Sequence, residues 1–443
     1  MHRFLIKGGR VIDPANGIDQ VMDILIENGA VSKLGEDLGA NKGLEVIDTS
    51  GRIVTPGLID IHVHLREPGR EDEETIASGT RAAARGGFTS IACMPNTTPP
   101  IDNASLVETI LERARKKGVV NVFPVAAITK GLKGKEISEM GDLIRAGAVA
   151  FSDDGESVAN AEVMRRALEY ARMFGVPLIS HAEDKNLSDK GQMNEGYYST
   201  LLGLRGIPAA AEEIAVARDL ILAGMTGSRI HITHVSTRGS VQLVRDAKKR
   251  GIRVTCDVTP HHLVLSDESL ISYDTNLKVN PPLRSREDVE ALRKGLIDGT
   301  IDAIASDHAP HAPEEKEREF EYAAFGIVGL ETSLPLMITE LVRKKVLSFS
   351  QLIEKMSLQP ARIIGIDKLG RGSLAEGSPA DLTIINPEVQ AEVDTSRFES
   401  RSRNTPFTGW KLYGWPEQVF VGGNLVYGQI TKKARKEQVK VDD

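Results

Sequence analysis

Between residues 58 and 306, short apolar runs alternate with helical stretches, and no other feature of the chain restricts its fold as much. The runs cover 58–64, 90–94, 121–128, 149–152, 177–181, 229–235, 253–258 and 302–306. Segments between them, such as "ASLVETILERARKKG" and "AEVMRRALEYARMFG", carry apolar residues at helical spacing and close on a glycine, the residue that suits a helix C-terminus. A strand followed by a helix builds a parallel sheet, and eight such units predict a (β/α)8 TIM barrel. The outer segments read differently. "RFLIKGGRVID" and "DILIENGAVSKLG" near the start, and "QVFVGGNLVYG" near the end, are β-rich runs broken by Gly and Asn, as hairpins require. At 443 residues the chain is longer than one core usually accommodates. The expected organisation is a small β-sandwich domain built from both termini (1–55 and 372–430), a barrel over 56–371, and a charged, solvated tail over 431–443.

In the first barrel run, "GLIDIHVHLREPG", side chains alternate between faces, which puts Asp60, His62 and His64 on one side and Ile59, Ile61 and Val63 on the other. Two imidazoles two positions apart on a strand can converge on one ion, although such a pair by itself is more often structural or accidental than metal-binding, so the reading needs partners elsewhere in the chain. Barrel active sites lie at the C-terminal ends of the strands. There the sequence places His62 and His64 (first strand), "MPNT" (second), Asp153 and Asp154 in "FSDDG" (fourth), His181 (fifth) and His234 (sixth). "SDHAPH", with Asp307 and His311, follows the eighth. Five of the ten histidines fall in this set. Of the others, His231, His261, His262 and His308 are expected in structural roles and His2 in none.

A net charge of −7 argues against a nucleic-acid or anionic-membrane surface, so any anionic substrate must be met by a few local cations. Only two cysteines occur, Cys93 and Cys256, both inside apolar runs, which fits a reducing compartment. With no apolar leader and no apolar run of membrane-spanning length, the expectation is a soluble, cytoplasmic protein.

The ligand order along the strands resembles that of the amidohydrolase superfamily, and "HVHLREPG", "MPNT", "FSDDG", "NPPLR" and "SDHAPH" together are similar to class I dihydroorotases over essentially the whole chain. The resemblance implies two zinc ions per chain, held by His62, His64, His181, His234 and Asp307 and bridged by a carboxylate of the Asp-Asp-Gly turn. Family spacing favours Asp154 as the bridge, with Asp153 as the alternative. The implied reaction is the reversible cyclisation of N-carbamoyl-L-aspartate to L-dihydroorotate plus water in de novo pyrimidine biosynthesis. A zinc-bound hydroxide would attack, and Asp307 would shuttle the proton. Arg66, Asn96 and His311 are implied to bind the substrate carboxylate beside His64, with Asn280 on the ring. The backbone at Phe325 and Gly326 would complete the pocket, and the loop "HAPEEKEREFEYAAFG" would act as a lid. Arg66 has a second reading, in which it pins the loop through Glu67 or Glu71. Competing functions are a hydantoinase or allantoinase, whose class bridges its metals with a carboxylated lysine where this chain has "FSDDG", and a non-catalytic scaffold for aspartate carbamoyltransferase, whose relatives have lost metal ligands. Docking of an active enzyme to that transferase, and a homodimer, are compatible with the resemblance.

Overall fold

The computed structural model describes residues 3–39 and 44–429; His2 and the expected tail over 431–443 lie outside the described residues. Eight parallel strands form the barrel wall: β1 (Leu58–Val63), β2 (Phe88–Cys93), β3 (Asn121–Ala126), β4 (Ala150–Ser152), β5 (Leu178–Ser180), β6 (Ile230–Ile232), β7 (Val254–Val258) and β8 (Ala303–Ile304). Each pairs with the next in sequence, and a parallel bridge between Val63 and His308 brings the last strand end back to the first. At that seam the His64 amide donates to the His308 carbonyl at 2.9 Å. The buried Asp60 carboxylate accepts from the amides of Ser306 and His62, each at 3.1 Å. Burial pushes Asp60 up to about 6.

Local sequence explains the helices around this wall. Thr75 caps the helix Ile76–Arg85 in a reciprocal box with Ser78, and Ser285 does the same for Arg286–Ile297 with Asp288. Asn160 caps Ala161–Phe174, which ends on left-handed Gly175. One expectation fails at the end of β1. Ile59 and Ile61 join a cluster with Ala92, Val125, Ile179 and Ala303, whereas Val63 packs in the larger core, and pairing with β2 shifts register between Asp60 and Val63. An irregularity of this kind re-aims side chains, and it falls at the His-x-His pair.

Strands from both termini make one eight-stranded sheet. Antiparallel pairing of Ile53–Pro56 with Leu382–Glu392 joins the two ends of the chain. The sheet forks at Arg3–Asp13, which pairs in parallel with both Glu45–Asp48 and Ile53–Pro56, and it encloses its own core of Phe4, Ile6, Ile24, Leu382 and Phe420. Asp381 ties this sheet to the barrel, accepting from Asn121 Nδ2 at 2.9 Å and pairing with Arg371. Among the described residues, no helix is long and apolar enough to cross a membrane.

Candidate metal centre and active site

Six side chains from the ends of five strands converge at one mouth of the barrel: His62 and His64 (β1), Asp154 (after β4), His181 (after β5), His234 (after β6) and Asp307 (after β8). Asp307 Oδ1 lies 3.2 Å from His64 Nε2 and 3.4 Å from His62 Nε2. Asp154 stands between two groups. Its Oδ1 is 3.4 Å from His62 Nε2, 3.6 Å from His181 Nδ1 and 3.8 Å from His234 Nε2, while its Oδ2 is 3.5 Å from His64 Nε2. Tetrahedral zinc with bonds of about 2.0–2.1 Å places neighbouring ligand atoms about 3.3 Å apart, close to these separations. Asp153 points elsewhere: its carboxylate accepts from the Thr129 amide at 3.0 Å and from the Thr129 hydroxyl.

The donor set fits metal ions on a second ground. Buried polar atoms are nearly always hydrogen-bonded, yet His62 Nε2 and Asp154 Oδ1 have no hydrogen-bond partner among the described residues. His181 Nδ1 faces His234 Nε2 at 3.0 Å, so two ring nitrogens meet with at most one proton to share if both rings are neutral. The other nitrogens are fixed from behind. His62 Nδ1 contacts Thr233 Oγ1 at 2.7 Å, His64 Nδ1 contacts Asn96 Oδ1 at 2.9 Å, and His181 Nε2 contacts Glu183 Oε2 at 3.2 Å. Such contacts select the tautomer that offers a lone pair to a cation.

Charge agrees with this geometry. Burial alone would lower His62, but the Asp154 and Asp307 carboxylates drive it up to about 10. Burial would raise Asp154, yet the surrounding imidazoles hold it well below the usual carboxylate range. The field that favours a proton on His62 also favours a divalent cation. Backbone strain collects here too: Arg66, His234 and Asp307 take φ of 58°, 40° and 49°, a region non-glycine residues seldom adopt.

The mouth opens into a cavity of about 190 Å³ lined by every expected site residue except His62, which lies beneath. Arg66 and His311 form one wall. The Arg66 guanidinium is held by the Pro310 carbonyl at 3.1 Å and by Glu73 at 3.1 Å, so its loop partner is Glu73 and not Glu67 or Glu71. His311 Nδ1 faces Glu73 and Glu315 at 3.1 and 3.0 Å, and its Nε2 is 2.7 Å from the Phe325 carbonyl. Asn96 donates to Asp154 Oδ2 at 3.3 Å. A larger cleft, about 900 Å³, lies elsewhere, beside the starts of the helices Arg238–Lys249 and Arg286–Ile297. Its helix ends are already capped, with Asp288 on the Arg238 amide at 2.9 Å and Glu212 on the Ser236 amide at 3.0 Å.

Residues 51–240 match the sequence model of the dihydro-orotase-like family, and residues 207–427 that of the amidohydrolase family. The protein named dihydroorotase from Pelotomaculum thermopropionicum is 57% identical over 424 residues, covering 96% of this chain and 98% of the relative. The chain belongs to the dihydroorotase family. The dihydroorotase from Geobacter metallireducens is 56% identical over 96% of this chain and 99% of its own length. Among solved structures, L-hydantoinase (dihydropyrimidinase) from Arthrobacter aurescens superposes with a TM-score of 0.88 at 28% identity, covering 97% of this chain and 98% of that one. The barrel architecture is thus that of a cyclic-amide hydrolase family, and the His/Asp groups at its mouth could hold a metal ion. Sequence reasoning missed Glu73, Glu183, Thr233 and Asp257, which support the mouth from behind. Asp257 accepts from the His234 amide at 2.7 Å and from Thr233 Oγ1 at 3.1 Å. Glu183, Thr233 and Asp257 are polar residues close to strand ends, a pattern too common to single out, and Glu73 lies in the loop between β1 and the helix Ile76–Arg85, where no local pattern marks it.

Proposed function

We propose that the chain catalyses the dihydroorotase reaction, interconverting N-carbamoyl-L-aspartate and L-dihydroorotate. In this reading His62, His64 and Asp307 would hold one divalent ion, His181 and His234 would hold a second, and Asp154 would contribute to both. One observation carries it: Asp154, whose buried Oδ1 has no hydrogen-bond partner among the described residues, lines the same cavity of about 190 Å³ that Arg66 and His311 wall, with the unpartnered His62 Nε2 3.4 Å from that oxygen. Two bound zinc ions would supply Lewis acidity, easing deprotonation of water near neutral pH and polarising the amide carbonyl.

The chain's own residues do the rest. Arg66 and His311 bind the substrate carboxylate, Arg66 through a planar fork that suits two charge-assisted hydrogen bonds. Asn280 meets the ring, and the backbone at Phe325 and Gly326 closes the far side. Burial disfavours an ionised Asp307, but His62 and His64 overcome that and keep it a carboxylate. Its oxygens can take the proton released by the attacking water and pass it to the departing ring nitrogen; ring closure runs the same transfers backwards.

A hydantoinase-type reading is favoured by the superposition on L-hydantoinase. Against it stand the Arg66 guanidinium in the pocket, a cation that a neutral hydantoin ring does not use, and an aspartate in the place of the carboxylated lysine. Ring opening by the purified protein on dihydroorotate, dihydrouracil and hydantoin decides between the two. The dihydroorotase reading expects dihydroorotate to be hydrolysed with the highest kcat/KM, and faster turnover of a neutral ring would refute it.

A further inference from the structure

We propose that Glu183 is a positioning residue that orients the metal ligand His181 and the ring contact Asn280 through a single carboxylate oxygen. The proposal deepens the functional reading above and rests on it for the roles of those two side chains.

Glu183 follows His181 by two positions in the loop after β5, and its side chain is 10% exposed. Its Oε2 lies 3.2 Å from His181 Nε2 and 3.3 Å from Asn280 Nδ2. A carboxylate only accepts, so both neighbours must donate. With its proton on Nε2, His181 keeps the Nδ1 lone pair free, and Nδ1 is the atom 3.0 Å from His234 Nε2 and 3.6 Å from Asp154 Oδ1. The same contact fixes the Asn280 amide. Its nitrogen is engaged by Glu183, which leaves Oδ1 as the free end, an acceptor for a ring N–H of the substrate. A flipped amide would offer a donor instead.

The two halves of the mouth differ in this support. His62 and His64 rest their Nδ1 atoms on uncharged oxygens of Thr233 and Asn96. His181 alone rests its outward nitrogen on a carboxylate that is not itself in the cluster. Lys185 holds Glu183 from the solvent side at 3.6 Å while donating to the Gly155 carbonyl at 2.6 Å. Glu183 therefore strengthens one ion site selectively and sets hydrogen-bond polarity at the ring.

The test is a zinc titration of chelator-stripped protein, wild type against Glu183→Gln, which keeps the shape and removes the charge. Loss of a carboxylate behind a ligating histidine weakens metal binding about 10- to 100-fold, and the effect should fall on one of the two ions. Second-ion affinity within about threefold of wild type, below that range, would overturn the proposal. At saturating zinc, KM for dihydroorotate should rise by about tenfold, the cost of one hydrogen bond, while kcat changes less. A loss in kcat alone would remove Asn280 from the proposal. Should Glu183→Gln not fold, ¹⁵N spectra of wild-type histidines serve instead, with a protonated Nε2 expected on His181 and the opposite tautomer excluding the role. Neither the titration nor the spectrum involves substrate. A wild-type protein that ignores dihydroorotate would refute the functional reading and the Asn280 half, while these two measurements still decide the His181 half.

Discussion

His62 and His234 at the barrel mouth are 1% and 2% exposed, and the two rings that brace the wall, His231 on β6 and His262 in the short helix Pro260–Val264 after β7, are 0% and 2% exposed, so burial does not distinguish them. Their ring nitrogens do. His231 contacts Thr255 Oγ1 at 2.8 Å and Asp257 Oδ2 at 2.7 Å, and His262 contacts Thr259 Oγ1 at 2.7 Å and the Pro281 carbonyl at 2.9 Å. The wall rings are complete within the protein. At the mouth His62 Nε2, which faces Asp154 and Asp307 at 3.4 Å each, has no hydrogen-bond partner among the described residues, and His181 and His234 turn nitrogens toward each other. A buried histidine with both nitrogens satisfied packs and braces, whereas one that keeps a lone pair open among carboxylates is built for a cation. His261 lies between the classes. Its Nε2 is unpartnered, yet it belongs to none of the groups of three or more ligand atoms found among the described residues. Burial, then its neighbour His262, keeps it neutral.

The sharpest break in this comparison is expected at Asp307. Asp307→Asn removes the proton carrier and should lower kcat by roughly 10²- to 10⁴-fold. Metal content must be measured beside the rate, and a zinc-replete variant of near-normal turnover would take Asp307 out of the mechanism. Arg66→Ala comes next. Truncating one partner of a buried charge pair costs roughly 2–5 kcal/mol, or roughly 30- to 4,000-fold in kcat/KM on dihydroorotate. Arg66→Lys should recover only part of this, because a point charge does not reproduce the fork. If Arg66 merely pinned its loop to Glu73, losses would be equal on dihydrouracil and the melting temperature would drop.

On the wall side, His262→Ala should cost about 1–3 kcal/mol of stability by leaving the Pro281 carbonyl unpaired. Zinc content and kcat should not change, and loss of zinc in that variant would erase the distinction between wall and mouth. The smallest effect is expected at the rim. Lys316 Nζ donates to the carbonyls of Ala324 and Gly326 at 2.8 and 3.0 Å, bracing the loop that carries Phe325. Burial, and then Lys278, pushes its ammonium down to about 7. An unfolded lysine titrates near about 10.4, so between these values the unfolded chain binds more protons and stability rises with pH; it is lost as pH falls through the folded value. Lys316→Met should flatten that slope in denaturant titrations on the alkaline side of neutrality. A slope unchanged by the substitution would assign it to other groups.

The barrel was legible because its largely buried strands read as short apolar-rich runs separated by helical stretches, even where β1 and β6 carry histidines; even β8, two residues long, lies inside the run at 302–306. The mouth was legible through strand-end chemistry: histidines and aspartates close to strand ends stand out in a chain with only ten histidines. The supporting residues were not. Thr233 meets His62 across 171 positions, and Glu73 meets His311 across 238, separations that no local period encodes. The choice between Asp153 and Asp154 was hidden for the same reason. Thr129 turns Asp153 away from the histidines, and that contact exists only in three dimensions. Strict alternation along β1 also misled for Val63, because the register shift beside His62 cannot be read from side-chain types.

Zinc bound per chain, measured by elemental analysis on protein purified without chelator, tests the division between mouth and wall most directly. Two equivalents are expected in the wild type and in His262→Ala, and no more than one in His181→Ala. Fewer than one equivalent in the wild type, or two retained in His181→Ala, would contradict a two-ion mouth built on these histidines.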